Sequence, residues 1–217
     1  MQIHTIEART HGRYLVKPPE TTGPSPMLVG FHGYRESAST HLDVLARIPG
    51  TERWLLVAVQ GLHRFYTKDS DVVASWMTRE DRELAIADNL AYVRAVVDAC
   101  RLGFATTETL VFAGFSQGVA MAFRAAAHQT ATGLIVNGGD VPPDVTASPP
   151  VPLPPVFYGR GKNDDLYDAS AHARDLATLA AMGVPVESYT FDGRHEMAPE
   201  FLDAAGRALG RWMVRSY

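Results

Sequence analysis

A serine set between two glycines, in the pentapeptide that runs from Gly114 to Gly118, is the feature that most limits how this chain can fold. It follows an apolar run at residues 109–113 and precedes small residues at 119–122. This order predicts a strand that turns sharply into a helix and exposes the hydroxyl of Ser116 at the turn. Side chains at the two glycine positions would make the strand and the helix collide. The pattern therefore predicts a nucleophilic serine in a strand–turn–helix unit.

Apolar strand patterns alternate with helical patterns along the rest of the chain. Strands are expected at residues 3–8, 13–17, 27–31, 54–59, 109–113, 132–136, 155–158 and 186–191. Helices are expected at residues 37–48, 169–182 and 199–214. A further helix is expected to begin with Thr78 and Asp81 as its N-cap pair and to end at Gly103. Its apolar stripe runs through Ile86, Leu90, Val93, Val97 and Cys100. Residues 62–77 and the segment 141–155, which holds seven prolines, are expected to be irregular.

Repeated strand–helix units of this kind predict an α/β fold, with a mostly parallel central sheet and helices on both of its faces. The alternation resumes beyond the proline-rich segment, so we expect one domain over residues 1–217. That segment is too short to form a large cap domain, which favours an open site.

Composition excludes several classes of function. The net charge of −4 argues against nucleic acid as a partner, and no apolar run is long enough for integral membrane association. The start of the chain has no long apolar stretch and there is a single cysteine, Cys100, so we expect a cytoplasmic protein without disulfides. The histidines show no metal-ligand spacing, so no metal or other cofactor is expected. The oligomeric state stays open, a homodimer included.

A serine nucleophile needs a base, and that base needs a third group to orient it. In a sheet of this kind these groups follow in the chain order serine, acid, histidine, on loops after the strands. His195 follows the strand expected at 186–191 and is the predicted base. His172 falls inside an expected helix, so we interpret it as a surface residue.

The acid is less narrowly defined, because several carboxyl groups follow late strands. Asp164 and Asp165 both follow the strand at 155–158, and Asp164 is favoured. Asp140 is a fallback, Asp192 is too near His195 in sequence to be a first choice, and Asp168 is interpreted as a helix cap.

Two backbone amides are expected to stabilise an oxyanion. One is the N–H group of Gln117, directly after the nucleophile, and the other is the N–H group of Tyr34, in the loop after the strand at 27–31. His32, just before that loop, is interpreted as a structural hydrogen-bonding residue.

The motifs around Ser116, His32-Gly33-Tyr34, Asp164 and His195 together resemble the phospholipase/carboxylesterase branch of the α/β-hydrolase superfamily, which includes acyl-protein thioesterases. The resemblance spans residues 28–196 and implies an α/β-hydrolase fold and an acyl-enzyme mechanism. It also implies Ser116, Asp164 and His195 as the catalytic triad. The chain departs from that branch where Arg35-Glu36 follows Tyr34 and at residues 74–78, so substrate identity does not carry over.

The expected activity is hydrolysis of a small-molecule ester or thioester. An aromatic wall of the substrate pocket is expected from the irregular segment, in particular His63, Phe65, Tyr66, Trp76 and Met77. Ordinary packing of these residues against the sheet edge is the alternative for that segment. The alternative for the whole chain is a catalytically silent α/β-hydrolase domain that binds a ligand or another protein.

Overall fold

The structure, a computed structural model, describes residues 1–147, 149 and 151–214. These residues form nine strands, six α-helices and one 3-10 helix at Thr51–Arg53. The strands are β1 (Tyr14–Lys17), β2 (Ser25–Phe31), β3 (Leu55–Val59), β4 (His63–Tyr66), β5 (Val72–Ser75), β6 (Thr106–Phe115), β7 (Gly133–Asn137), β8 (Val156–Gly161) and β9 (Val186–Phe191). The helices are α1 (Ala38–Ala46), α2 (Arg82–Gly103), α3 (Gln117–His128), α4 (Pro143–Ala147), α5 (Ala169–Ala181) and α6 (Pro199–Val214).

Seven of the strands form one twisted sheet in the order β1-β3-β2-β6-β7-β8-β9. Only the edge strand β1 runs antiparallel to its neighbour, and the other pairs are parallel. Strands β2 and β3 are buried along their whole length, as expected for apolar strands covered on both faces. Parallel strands place their carboxyl ends at one edge of the sheet, and the loops that leave this edge carry the site described below.

Helices cover both faces of the sheet. Alternate residues of each strand point to opposite sides, and both sets are apolar, so each face has a hydrophobic cluster covered by helices. Val29 and Phe112 belong to one hydrophobic cluster, which also contains residues of α2, α3 and α5. Their neighbours Leu28 and Val111 belong to a second cluster, with residues of α1 and α6. The predicted α/β fold, with a mostly parallel sheet and helices on both faces, is confirmed, and no separate cap is present among the described residues.

Four local predictions are wrong. Residues 3–8 form no strand and are exposed. Within the described chain, β1 is the outermost strand at that edge of the sheet, and no further strand pairs with it. Residues 62–77 contain the hairpin of β4 and β5, two strands of four residues each that are too short to give a clear pattern in the sequence. Its turn is closed by the Thr67 N–H group, which donates to the carbonyl of Asp71.

The proline-rich segment contains the short helix α4, because a proline is tolerated in the first turn of a helix. Ser148 and Pro150 of that segment lie outside the described residues. The fourth error is the predicted cap of α2: Asp81 has a left-handed backbone and makes no side-chain cap bond, while the hydroxyl of Thr78 donates to the carbonyl of Glu80.

His41 is a buried titratable residue of α1 that packs against β2. A Cβ atom on Gly30 would lie 2.7 Å from the His41 ring. Burial, with a smaller effect of the nearby His32, lowers the pKa of His41 to about 3. Between the ordinary histidine pKa of 6.5 and a pH of about 3, the ring is therefore neutral in the folded protein and protonated in the unfolded chain.

We expect His41 to make folding acid-sensitive. A lowered folded-state pKa contributes stability that is present above the ordinary histidine pKa and is lost as the pH falls towards about 3. The free energy of unfolding should then fall by roughly 1.4 kcal/mol per pH unit through that window from this residue alone. Urea unfolding of wild type and His41→Leu between those limits measures the difference. Equal pH slopes in the two proteins would contradict the assignment.

Gly118, in the first turn of α3, lets the helix approach the end of β2. A Cβ atom there would lie 2.0 Å from the carbonyl oxygen of Phe31 and 2.7 Å from that of His32. Both neighbours are backbone atoms, so no side chain can move aside to make room. The glycine requirement that the pentapeptide predicts at this position is thus a packing requirement between β2 and α3.

We expect Gly118→Ala to lower the free energy of unfolding by about 3 kcal/mol because the new methyl group overpacks this contact. Gly210→Ala is the matched control, since Gly210 lies in α6 and a Cβ atom there meets nothing within 4 Å. The control should stabilise the protein by roughly 0.5–1 kcal/mol through helix propensity. Denaturant titrations that rank the two variants equally would refute the packing argument.

Candidate active site

Three strands of the parallel sheet deliver Ser116, Asp164 and His195 to the same edge. Ser116 follows β6, Asp164 follows β8, and His195 follows β9. Because parallel strands end at one edge, residues far apart in sequence meet there. The structure thus brings together the three side chains singled out from the sequence.

Ser116 lies at the sharp turn between β6 and α3. Its backbone angles are φ 52° and ψ −121°, a conformation that a non-glycine residue rarely adopts. Its N–H group donates to the carbonyl of Asn137, at the end of the neighbouring strand β7, at 3.0 Å. On the other side of the turn, a Cβ atom on Gly114 would lie 2.4 Å from the carbonyl oxygen of Gly118. The strained turn is therefore held by its two glycines and by β7.

His195 bridges the other two side chains. Its Nε2 atom lies 2.8 Å from Ser116 Oγ, and its Nδ1 atom lies 2.8 Å from Asp164 Oδ2. A carboxylate can only accept, so Nδ1 carries the proton and Nε2 is free to accept from the serine hydroxyl. The side chain of Asp164 is 1% exposed and that of His195 is 18% exposed. The geometry thus leaves the histidine reachable from solvent and its orienting carboxylate enclosed.

The carboxylate of Asp164 is fixed by the backbone around it. Its second oxygen, Oδ1, accepts from the N–H groups of Leu166 and Tyr167 at 2.9 and 2.8 Å. Asp165, next to it, is exposed. The structure therefore places Asp164, and not Asp165, against the imidazole.

The other acidic candidates lie elsewhere. Asp168 accepts from the Ala171 N–H group and caps α5, as interpreted from the sequence. Asp192 is exposed, and Asp140 lines a cavity beside Ser116, where burial and the charge of Asp175 raise its pKa.

The loop after β2 lies against the turn that holds Ser116. A Cβ atom on Gly33 would lie 3.3 Å from the ring of Phe115, which itself packs on His195 at a centroid distance of 4.9 Å. Within the described chain, the N–H groups of Tyr34 and Gln117 donate to no protein acceptor. Both predicted oxyanion donors are therefore unoccupied by the protein itself.

Glu36 shapes this loop, a role that no motif in the sequence predicts. Its Oε2 atom accepts from the Gly33 N–H group at 2.7 Å, and its carbonyl accepts from the Ala74 N–H group at 2.9 Å. Burial raises the pKa of Glu36, while the Gly33 hydrogen bond and the proximity of His195 oppose that rise. The Glu36 carboxylate thus accepts from the Gly33 N–H group. The next amide along the chain, that of Tyr34, has no acceptor within the described chain.

The buried His32 and Trp76, with the half-buried Gln117, form a hydrogen-bonded support behind the loop. His32 Nε2 accepts from the Gly61 N–H group and its Nδ1 atom donates to the Gly33 carbonyl, so the ring is a structural linker, as interpreted. Trp76 Nε1 donates to the His32 carbonyl at 2.8 Å. The side-chain oxygen of Gln117 accepts from the Trp76 N–H group at 2.9 Å. These bonds connect the loop after β2 to the first residue of α3.

Asn137 holds the histidine loop and was missed by the sequence reasoning. Its carbonyl accepts from Ser116, as described above, and its Nδ2 atom donates to the Glu196 carbonyl at 2.8 Å. The residue is 1% exposed. The only signal in the sequence is a polar residue at the end of an apolar strand, which is typical of residues at this sheet edge.

Two cavities lie at this edge of the sheet, and Ser116 lines the first of them. The first, about 340 Å³, is lined by Ser116 and His195 and by residues such as Asp140, Pro142 and Leu166. The second, about 730 Å³, is lined by residues of the hairpin and of the start of α2, and by Tyr34. Met77, Arg82 and Gln117 line both, so the two cavities adjoin.

The five predicted pocket residues divide between cavity and core. His63 and Phe65 line the second cavity and Met77 lines both. Tyr66 lines neither cavity and is exposed, because neighbouring residues of a strand point to opposite sides. Trp76 also lines neither: it is fully buried, and its ring packs edge-on against Phe31. For Trp76, the packing alternative describes the structure.

Asp175 of α5 organises the floor of the first cavity. Its Oδ2 atom accepts from the Val141 N–H group at 3.0 Å and from the Tyr167 hydroxyl at 2.8 Å, and the Tyr158 hydroxyl lies 3.0 Å away. Tyr167 also donates its N–H group to Asp164. His172 closes the group at the ring edges of the two tyrosines; it is buried, against the interpretation from sequence, because α5 turns this face to the sheet.

No clusters of three histidine, cysteine or acidic side chains suited to a metal ion occur among the residues that the structure describes. No helix in this part of the chain is both long and apolar enough to cross a membrane.

Comparison with known proteins shows what this chain is similar to. No protein family and no curated protein matches its sequence. Its structure resembles SOBER1 of Arabidopsis thaliana, with a TM-score of 0.73, 18% identity, and coverage of 87% of this chain and 99% of SOBER1. It resembles acyl-protein thioesterase 2 of Zea mays, with a TM-score of 0.71, 18% identity, and coverage of 94% and 100%. It also resembles a carboxylesterase of Bacillus cereus, with a TM-score of 0.69, 14% identity, and coverage of 93% and 94%. At these identities the likeness shows the fold, and the fold implied by the motifs is confirmed.

We expect Asp175→Ala to lower the free energy of unfolding by roughly 2–4 kcal/mol, because the Val141 amide and the Tyr167 hydroxyl lose a buried acceptor. Asp203→Ala, at an exposed position of α6, is the control and should change it by less than about 0.5 kcal/mol. Chemical denaturation measures both. A loss in Asp175→Ala no larger than in the control would mean that the network does not support the cavity floor.

Proposed function

We propose that this chain, which has the α/β-hydrolase fold, is a serine hydrolase that cleaves carboxylic esters or thioesters through an acyl-enzyme. The observation that carries the proposal is the position of His195, within 2.8 Å of both Ser116 Oγ and Asp164 Oδ2. A neutral imidazole with its proton on Nδ1 is the form that can take a proton from a serine hydroxyl.

In the acylation step, Ser116 Oγ would attack the carbonyl carbon of the ester while its proton passes to His195 Nε2. The charge that develops on His195 is offset by Asp164, whose two backbone hydrogen bonds keep it aimed at Nδ1. The tetrahedral intermediate collapses when His195 gives the same proton to the leaving oxygen or sulfur, and the alcohol or thiol departs. Water then attacks the acyl-serine by the same route and releases the acid.

The negative charge of the tetrahedral intermediate falls on the former carbonyl oxygen. The N–H groups of Tyr34 and Gln117 are proposed to receive it, and their lack of a protein acceptor within the described chain supports this role. Gln117 begins α3, so the positive end of the helix dipole adds to the same effect.

The site is proposed to be open and suited to a small or exposed acyl group. The described residues provide no separate cap over Ser116, and His195 keeps 18% of its side-chain surface exposed. The solved structures that share this fold include proteins called esterase, carboxylesterase and acyl-protein thioesterase, which supports ester chemistry as the class.

The neighbouring aspartates provide a matched test of the mechanism. Asp164→Asn should reduce kcat for p-nitrophenyl esters by about 10⁴, because the asparagine fixes the wrong tautomer of His195. Asp165→Asn removes the same charge one residue away and should hydrolyse the esters like wild type. Ser116→Ala should lose both turnover and labelling by a fluorophosphonate probe.

Two results would contradict this proposal. Equal losses in the Asp164 and Asp165 variants would show that charge, and not orientation of His195, is what matters. A folded wild-type protein that neither reacts with the probe nor cleaves esters from acetate to octanoate would leave the catalytically silent, ligand-binding alternative in its place.

A further inference from the structure

We propose that the acyl group of the natural substrate carries an anionic oxygen group, a carboxylate or a phosphate, that binds Arg79 and Arg82 in the second cavity. This inference rests on the proposed ester hydrolysis and names the substrate class for the same site. It follows from the charges that line the cavity, from their lack of partners, and from the direction in which an acyl group must extend.

The second cavity is positively charged. Its volume is about 730 Å³, and the ionisable groups that line it are Arg79, Arg82, His63 and the Tyr34 phenol, with no aspartate or glutamate among them. The chain as a whole has a net charge of −4, so the charge of this lining is opposite in sign to that of the whole chain. A cleft lined by one sign of charge concentrates ligands of the opposite sign.

The two guanidinium groups are free to bind a ligand. Neither forms an ion pair with any described residue, although Glu80, Asp81 and Glu83 stand beside them in sequence. Among the described residues, Arg82 donates from Nη1 to the sulfur of Met77, a weak acceptor, at 3.1 Å.

Asp144 is close enough for the charge of Arg82 to act on it, but its carboxylate is already paired. Its oxygens accept from the buried Arg124 at 2.7 and 2.8 Å. Those hydrogen bonds are the main reason that the pKa of Asp144 is lowered, and the charge of Arg82 adds to it. Asp144 therefore needs no bond to Arg82, and the donors of Arg82 stay available.

The direction of the acyl group follows from the chemistry of the leaving group. His195 Nε2 must give its proton to the leaving oxygen or sulfur, so the leaving group lies on the side of His195, in the first cavity. The acyl chain extends the other way from the carbonyl. It enters the second cavity, which His195 does not line and which meets the first at Met77, Arg82 and Gln117; Arg82 therefore lies at the junction and Arg79 in the second cavity alone.

The rest of the lining suits a short methylene chain that ends in an anion. The rings of Tyr34 and Phe65 lie 5.8 Å apart on one side of the cavity and offer an apolar surface for the chain. Guanidinium groups match carboxylate and phosphate oxygens with paired hydrogen bonds. Half-esters of dicarboxylic acids have this pattern, and so do esters of phosphono-acids.

Paired substrates with one leaving group test the inference. p-Nitrophenyl hydrogen adipate carries the carboxylate at a chain length that disfavours attack on its own ester, and p-nitrophenyl methyl adipate is its neutral counterpart. p-Nitrophenyl 5-phosphonopentanoate provides the phosphonate arm. The ratio of kcat/KM for each anionic ester to that for the neutral one is the readout, after subtraction of the uncatalysed rate.

For wild type we expect this ratio to be at least about 10, since charge-assisted hydrogen bonds are made only by the anionic acyl groups. Arg79→Gln and Arg82→Gln should each reduce it by about 5- to 10-fold, and added salt should reduce it as well. Arg94→Gln removes the same charge from an exposed position of α2 outside both cavities and should keep the wild-type ratio. Whether the carboxylate or the phosphonate gives the larger ratio identifies the anion.

Two outcomes would overturn the inference while leaving the hydrolase intact. One is efficient cleavage of the neutral ester with a ratio of one or less. The other is a ratio that the two arginine variants change no more than Arg94→Gln does. Failure of the wild type to cleave any of the three esters or to react with a fluorophosphonate would instead refute the hydrolase itself, and the inference with it.

Discussion

The strained backbone of Ser116 is the constraint on which the rest of the site depends. A residue with φ 52° and ψ −121° persists only where its surroundings hold it. Gly114 and Gly118 let β6, β2 and α3 come close enough to do so, and the Asn137 carbonyl holds the Ser116 amide from the side. In return, the turn projects the hydroxyl towards His195 and leaves the Gln117 amide without a protein partner.

Around that turn, hydrogen bonds to backbone groups position nearly every polar side chain. Asp164 is held by two amides, the His195 loop by Asn137, and the loop after β2 by Glu36 and His32. The bonds of Asp164, Glu36 and His32 fix the shape of single loops, and the bond of Asn137 joins the end of β7 to the His195 loop. The proposed reaction needs such fixed groups, because orientation that exists before the substrate binds lowers the barrier without further cost.

The positions of Ser116 and His195 at one edge of the sheet could be predicted from the sequence, because each has a signature that does not depend on side-chain direction. Ser116 lies between two glycines that backbone contacts require, and His195 follows the last strand of a regular alternation. The fold could be predicted for the same reason, since buried strands such as β2 and β3 are apolar throughout.

What the sequence could not supply depends on where side chains point. Asp164 and Asp165 are adjacent and identical in type, and only the loop geometry turns one of them inward. Phe65 and Tyr66 are adjacent aromatic residues of β4, and strand alternation sends one to the cavity and the other to solvent. Trp76, the largest aromatic residue of that segment, is a core residue whose indole N–H group donates to the His32 carbonyl. The charged cavity has no motif at all, because it forms only where the hairpin, the loop after β2 and the start of α2 meet.

Electrostatics divides the site into two sides with different characters. The first cavity holds the acidic Asp140 beside Ser116 and His195, the second holds Arg79 next to the proposed oxyanion amides, and Arg82 lies where the two meet. Because the two sides share Met77, Arg82 and Gln117, one ester can occupy both, and each side can select a different part of it.

The most direct test of the central claim is rapid-quench mass spectrometry of the intact protein during turnover of a p-nitrophenyl ester. The account predicts a transient mass increase equal to one acyl group, located by peptide mapping on Ser116 and absent in Ser116→Ala. Turnover without an acylated protein, or an acyl group on any other residue of the active protein, would contradict it.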